Sequence, residues 1–220
     1  MQTAAILAGG RGQRLGGRDK SRLVIGGRTI LARQLDVLQR LVPRVVIVAN
    51  TPEAFADADV PVLRDAVPGA GSLGGVYTAI AEAGGPVLVL ACDMPFVTEP
   101  FLARLIEAGQ EADLAIPRGR DGYQPLCANY GPACAGPLRR RIEQGALQVI
   151  GLLADVRVRE LGPDEIASFD PDGLLLLNVN TEDDLARAER AAGERLAAPA
   201  GRRPWKLARR RVDERRTPTP

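Results

Sequence analysis

The stretch AAILAGGRGQRLGGRDK, Ala4 to Lys20, joins a short apolar run directly to glycine and base. Ala4 to Ala8 reads as a buried strand, and Gly9, Gly10 and Gly12 follow at once. Arg11, Arg14, Arg18 and Lys20 then place four cations within ten residues. Glycine lets a backbone approach a ligand closely with its N–H groups turned inward, and the cations supply charge for phosphate. Such a strand-to-loop passage can hold a nucleoside triphosphate. A tight solvated turn after an edge strand is the plainer reading of the same residues.

Two common phosphate motifs do not fit. The P-loop requires Gly-Lys-Ser/Thr at a fixed distance from its first glycine, and Lys20 arrives too late. In the dinucleotide fingerprint Gly10 and Gly12 could serve as the first pair, but Leu15 occupies the place of the third glycine. Asp36, the nearest candidate for an acidic ribose partner, falls inside an apparent helix.

Outward from this loop the chain alternates strand and helix. Thr29 to Leu41 predicts a helix capped by Thr29, with Ile30, Leu31, Leu35, Leu38 and Leu41 on one face. Val45–Ala49, Val60–Leu63 and Pro86–Ala91 are apolar runs of strand length. Helices are expected over Gly74–Ala83 and over Thr98–Ala108, the latter capped by Thr98. Leu114–Pro117 and Leu126–Tyr130 read as further strands, Gly131–Gln144 as a basic helix, Leu174–Val179 as a late strand, and Thr181–Ala192 as a final helix. The acidic run Glu182–Asp184 suits the positive end of that helix. Uninterrupted strands between amphipathic helices predict a Rossmann-like three-layer α/β/α sandwich around a mostly parallel sheet. Ligands of such sheets sit beyond the carboxyl ends of the strands, where the Gly9–Lys20 loop, Asn50, Asp65 and Asp93 would converge.

Composition narrows the possibilities. A chain of 220 residues that is 45% hydrophobic can bury one good-sized core, expected over 1–198. The net charge is +2, yet eight Lys/Arg and two Asp/Glu lie between Arg202 and Arg216, so the remainder is mildly acidic. That balance is not one of a nucleic-acid-binding domain. The 199–220 tail has four prolines, one Trp and few aliphatics, and is expected to be disordered. Within it Trp205, with Arg203 and Lys206, could dock on a partner or an anionic cofactor.

Cys92, Cys127 and Cys134 make an odd set with no C-x-x-C pair, which fits a reducing cytoplasm rather than a disulfide framework. With no histidine at all, Ser-His and Cys-His catalysis are excluded. No apolar run reaches membrane-span length, and Met1–Ala8 lacks the basic start of a signal peptide.

The run Leu7–Lys20 closely resembles the N-terminal signature of the molybdenum cofactor guanylyltransferases, within the nucleotide-diphospho-sugar transferase type of fold. The likeness continues through Val48-Ala49-Asn50, Arg64-Asp65, Leu90-Ala91-Cys92-Asp93-Met94-Pro95-Phe96, Gln124-Pro125-Leu126 and Asn178-Val179-Asn180-Thr181-Glu182-Asp183-Asp184-Leu185, from about Thr3 to about Ala191. Gly71-Ser72-Leu73-Gly74-Gly75 departs from the family's usual Gly-Pro-Leu-Ala-Gly, and Leu15 replaces a frequent Met. Both changes keep small and apolar character.

The resemblance implies transfer of GMP from GTP to molybdenum-bearing molybdopterin, with release of pyrophosphate. Lys20, Arg14 and Asp93 would be catalytic, with Asp93 the ligand of Mg2+. Leu7, Ala8, Gly9, Lys20, Asn50, Asp65 and Asp93 would bind GTP, and Asn178 and Asn180 the pterin. Arg139, Arg140 and Arg141 could face a pterin phosphate or form a solvated face. Proteins that deliver or receive the cofactor are implied as partners. A cytidylyltransferase using CTP is the nearest alternative, although Gly9-Gly10 stands where that group has Ala-Gly, leaving room for a purine. Sugar-1-phosphate nucleotidyltransferases follow their loop with Thr-Lys-Pro, which Asp19-Lys20-Ser21 does not match. A non-catalytic nucleotide-binding homologue remains a third reading.

Overall fold

The computed structural model describes residues 1–9 and 19–197. Arg14 and most of the glycine-rich loop lie outside the described residues, as does the 199–220 tail. The described chain runs β1 (Thr3–Ala8), β2 (Val24–Ile25), β3 (Arg28–Thr29), α1 (Ile30–Leu41), β4 (Arg44–Ala49) and β5 (Val62–Arg64). It continues through α2 (Gly71–Ala83), β6 (Val87–Ala91), α3 (Glu99–Ala108), β7 (Leu114–Gly119), β8 (Gly122–Tyr123) and β9 (Cys127–Tyr130). The last elements are α4 (Ala135–Glu143), β10 (Val158–Leu161), α5 (Pro163–Ala167) and α6 (Glu182–Ala197).

All six residues of β1 are buried. Such a strand, without a polar side chain able to face water, must be central and covered on both sides. It pairs in parallel with β4 on one side and β6 on the other. The sheet order is β10-β7-β9-β6-β1-β4-β5, with β8 hairpinned onto β7. β9 runs antiparallel to both its neighbours, β6 and β7, and the remaining main-path pairs are parallel.

Alternate residues of the central strands feed opposite faces, as the two-residue period requires. Ala4, Ile6, Ile47, Leu88 and Leu90 pack with Leu38 of α1 and Phe101, Leu102 and Leu105 of α3. Ala5, Leu7, Val46, Val48, Val87 and Val89 pack with Leu73, Val76 and Ile80 of α2 and Leu138 of α4. The chain thus has the three-layer α/β/α architecture that its strand and helix pattern predicts. Each fully buried Ile or Leu contributes about 1.5–3 kcal/mol relative to exposure.

A third apolar cluster matters for position. Leu185, Ala188 and Ala192 of α6 pack with Leu23, Ile25, Ile30, Phe96, Leu174 and Val179. Ile25 belongs to the β2–β3 hairpin, turned at Gly26 and Gly27 with φ of +55° and +79°. Two successive residues at positive φ make a type I′ turn, which glycine adopts without strain.

Several expectations shift. Thr29 caps α1 as predicted, its hydroxyl accepting from the Ala32 N–H at 3.1 Å. Thr98 stands at the start of α3, but its side chain makes no cap bond. α2 begins at Gly71 rather than Gly74, and the basic segment 131–144 divides into a 3-10 turn, Pro132–Cys134, and α4.

The expected strand Leu174–Val179 is a loop. Its apolar residues are buried, but its amides find partners outside any sheet. Leu174 and Leu175 N–H groups both donate to Asp170 Oδ1, at 2.8 and 2.9 Å, and the Val179 N–H donates to the Asp93 carbonyl at 2.8 Å. β10 was not foreseen. It is an edge strand whose Arg159 and Glu160 face outward into ion pairs, which masks its apolar content.

Candidate active site

The strand register carries the rim of the site. Ala8 lies opposite Ala49, Leu7 opposite Ala91, and Ala49 opposite Arg64. The residues that follow these strands, Gly9, Asn50, Asp65 and Cys92-Asp93, are therefore ranged along one carboxyl edge. The chain leaves β1 toward β4 on one side and returns at β6 on the other. The crevice between β1 and β6 is therefore the topological switch point, where open α/β sheets bind ligands.

At that point three residues distant in sequence meet. Lys20 Nζ lies 3.1 Å from Asp93 Oδ2 and also donates to Asn180 Oδ1. Their side chains are largely shielded, Lys20 at 20% and Asp93 at 14% exposure. The other carboxylate oxygen, Asp93 Oδ1, is buried with no hydrogen-bond partner among the described residues. A buried anionic oxygen without a donor is costly unless a cation or ligand completes it. The donor set fits a hard divalent cation of the magnesium kind, which takes one or two carboxylates and fills its shell with water and phosphate oxygens.

Each partner is held by local structure. Asp19 Oδ1 accepts from the Ser21 N–H at 3.0 Å and its hydroxyl at 2.6 Å, capping the 3-10 turn Lys20–Arg22. Leu23 and Ile25 then anchor that segment onto α6. Asp184 Oδ2 accepts from the Asn180 N–H at 3.0 Å, the Thr181 N–H at 2.9 Å and the Thr181 hydroxyl at 2.9 Å. Burial pulls the Asp184 carboxyl upward, but these donors outweigh it and its pKa falls below the usual carboxylate value.

The turn bearing Asp93 is pinned on several sides. The Cys92 N–H donates to the Leu7 carbonyl at 3.2 Å, and Val179 engages the Asp93 carbonyl. Gln34, on α1 and 1% exposed, donates through Nε2 to the carbonyls of Ala91 at 2.7 Å and Met94 at 3.0 Å. The Cys92 thiol is pushed up to about 12, first by burial and then by the charges of Asp93 and Asp19. It therefore packs as a neutral thiol rather than serving as a nucleophile.

The other side of the rim is built differently. A Cβ on Gly9 would lie 3.3 Å from Asn50 Nδ2, so the chain passes close to that exposed amide. Asp65 is 6% exposed and turned inward. Its Oδ1 accepts from the Val67 N–H at 2.9 Å and the Thr78 hydroxyl at 3.2 Å, and both its oxygens lie about 3.1 Å from where a Gly74 Cβ would stand.

The Asn178 side chain donates to the Leu176 carbonyl at 3.1 Å. Arg139 pairs with Glu143, and Arg141 with Asp155 and the Gly151 carbonyl, so both are committed to local structure. Gln34 was missed by sequence reasoning. Its signal was a polar residue in the buried Ile30, Gln34, Leu38 register of α1.

The sequence pattern of the MobA-like NTP transferase domain matches residues 4–157. The chain belongs to that family. Among MobA-like relatives it is 31% identical over 191 residues to the molybdenum cofactor guanylyltransferase of Desulfosudis oleivorans, covering 86% of this chain and 95% of that protein. It is 38% identical over 190 residues to the molybdenum cofactor guanylyltransferase of Cereibacter sphaeroides, with 84% and 93% covered. The crystal structure of molybdopterin-guanine dinucleotide biosynthesis protein A from Archaeoglobus fulgidus superposes with a TM-score of 0.78 at 28% identity. That match covers 87% of this chain and 99% of the other. The chain is thus a nucleotidyltransferase of the MobA-like kind. No described helix is long and apolar enough to cross a membrane.

Proposed function

We propose that this chain transfers GMP from GTP to molybdenum-bearing molybdopterin, forming the guanine dinucleotide and releasing pyrophosphate. The observation that carries this reading is the Lys20–Asp93–Asn180 junction at the switch point, with one Asp93 oxygen left without a partner among the described residues. The guanylyltransferase names of the relatives support the nucleotide and the acceptor.

An oxygen of the pterin phosphate forms the new bond to the α-phosphorus of GTP, and the bond from that phosphorus to the α–β bridging oxygen breaks. The leaving group takes that oxygen away as pyrophosphate. Phosphate monoesters are largely dianionic at neutral pH, with a second pKa of about 6, so no base need remove a proton. A histidine-free chain suits this chemistry.

Lys20 offers a point charge to triphosphate oxygens, and Asn180 holds that ammonium in place. Arg14 adds a second cation. Asp93 holds the divalent cation, proposed to be Mg2+, which neutralises charge on the triphosphate when bound. Leu7, Ala8 and Gly9 bracket the nucleotide through their backbone, while Asn50 reaches toward the base or ribose. Asp65 orders the loop beside base and sugar. Asn178 and Asn180 border the pterin side. The protein works in the cytoplasm, and proteins that deliver or accept the cofactor are its partners.

The test supplies Mg2+, molybdenum-loaded molybdopterin and one nucleoside triphosphate at a time. Pyrophosphate release with GTP alone is expected. Release with CTP alone would transfer the chain to the cytidylyl reading, and release with neither would make it a binding protein.

A further inference from the structure

We infer that Gln34 is a positioning residue for Asp93, fixing the turn that aims its unpartnered oxygen at the metal. This rests on the reading of Asp93 as the metal ligand.

Gln34 lies at the centre of the buried face of α1, one helical turn from Ile30 and one from Leu38. An apolar residue would be the ordinary occupant of such a place. Its two amide hydrogens instead go to the carbonyls of Ala91 and Met94, which flank Cys92 and Asp93. The acceptor end of the same side chain, Gln34 Oε1, is buried with no partner among the described residues. An unmatched buried acceptor destabilises the fold. The chain bears that cost at a residue whose donors clasp the turn on both sides of the proposed ligand.

Four hydrogen bonds from three residues therefore hold the turn: Leu7 of β1 holds the Cys92 N–H, Val179 holds the Asp93 carbonyl, and Gln34 holds the carbonyls on either side. With its backbone fixed, Asp93 keeps only side-chain rotation. Lys20 on Oδ2 takes up that freedom and leaves Oδ1 pointing elsewhere. Without the Gln34 donors, two carbonyls in an apolar surrounding lose their partners, and the turn must rotate to satisfy them. The carboxylate moves with it. Outer groups that orient metal ligands are typically worth 10- to 100-fold in metal affinity or activity.

The experiment compares Gln34→Met, which keeps length but removes both donors, with Gln34→Asn, which keeps an amide too short to reach both carbonyls. Asp93→Asn is the reference. For each protein, saturated with GTP, the thermal midpoint is followed as Mn2+ is added, and the concentration giving half of the metal-dependent rise is recorded. Ligand binding to the native state raises the midpoint, and each variant is referred to its own metal-free value, which separates metal binding from general destabilisation. The Mg2+ dependence of pyrophosphate release is measured alongside.

Asp93→Asn is expected to lose the metal-dependent rise. The Gln34 variants are expected to retain it, but to need about 10- to 100-fold more metal in both assays. If they respond at the wild-type metal concentration while Asp93→Asn does not, the positioning role is overturned and the metal role of Asp93 stands. If Asp93→Asn still responds like wild type, both fall. Should Gln34→Met fail to fold, Gln34→Asn decides by the same criterion.

Discussion

Two aspartates stand on the same rim with the ends of β4 and β1 between them, Asp65 just after β5 and Asp93 just after β6. Their surroundings are opposite. Asp65 accepts from the Val67 N–H and the Thr78 hydroxyl and lies against Gly74. Asp93 gives one oxygen to Lys20 and leaves the other buried and unmatched among the described residues. Burial alone does not distinguish a structural carboxylate from a ligating one; the donors still missing do. The rim accordingly divides into a braced half, toward β5, and a receptive half, at β1 and β6.

The sharpest test of that division is Asp93→Ala. Pyrophosphate release is expected to fall about 100- to 1,000-fold, the scale for removing one preorganised electrostatic group, with the protein still folded by circular dichroism. Retained activity would erase the contrast.

Asp65→Ala should behave in the reverse sense. Loss of its two acceptor bonds is expected to lower stability in urea by about 1–3 kcal/mol, with a much smaller loss of turnover than Asp93→Ala gives. Gly74→Ala probes the same brace from the other side. The added methyl would sit 2.8 Å from the Val67 carbonyl and 3.1 Å from both Asp65 oxygens, so a cost of about 1–3 kcal/mol is expected from overpacking.

Asp184 supplies a third carboxylate, one oxygen of which accepts three bonds, next to the receptive half. Its folded pKa lies below the ordinary 3.8. A depressed acid pKa stabilises the folded state at all pH values above the unfolded pKa, and the contribution disappears as pH falls through the lower, folded value. Acid unfolding below about pH 4 should therefore be less steep in Asp184→Asn than in the parent. The smallest effect is expected at Cys92. With its thiol near 12, only about one part in ten thousand is thiolate at pH 8, so native protein should resist alkylation there and Cys92→Ala should retain most activity.

The sequence made the central sheet readable because its strands are continuous apolar runs, and β1 cannot be placed anywhere but the middle. The rim followed from it, since strand ends are visible once strands are. What escaped were features whose polar groups are satisfied by side chains or by partners outside a regular ladder. Leu174–Val179 has a strand's composition, but the Asp170 carboxylate and the Asp93 carbonyl capture its amides. β10 hides behind outward charges. The hairpin β2–β3 carried a legible mark in Gly26-Gly27, between two short pairs of residues. The meeting of Lys20 with Asn180 spans 160 positions and depends on α6 packing over the hairpin, which no local pattern announces.

The bond from the Val179 N–H to the Asp93 carbonyl has a consequence for how the protein is made. A ribosome that has just added β9 has already supplied every strand of the main sheet except the edge strand β10, yet the proposed metal ligand still lacks one of its anchors and Lys20 still lacks Asn180. Nascent chains fold from the amino end as they emerge. Competence to handle the nucleotide is therefore postponed until Val179 and Asn180 have been added, and a product terminated before them would lack both contacts.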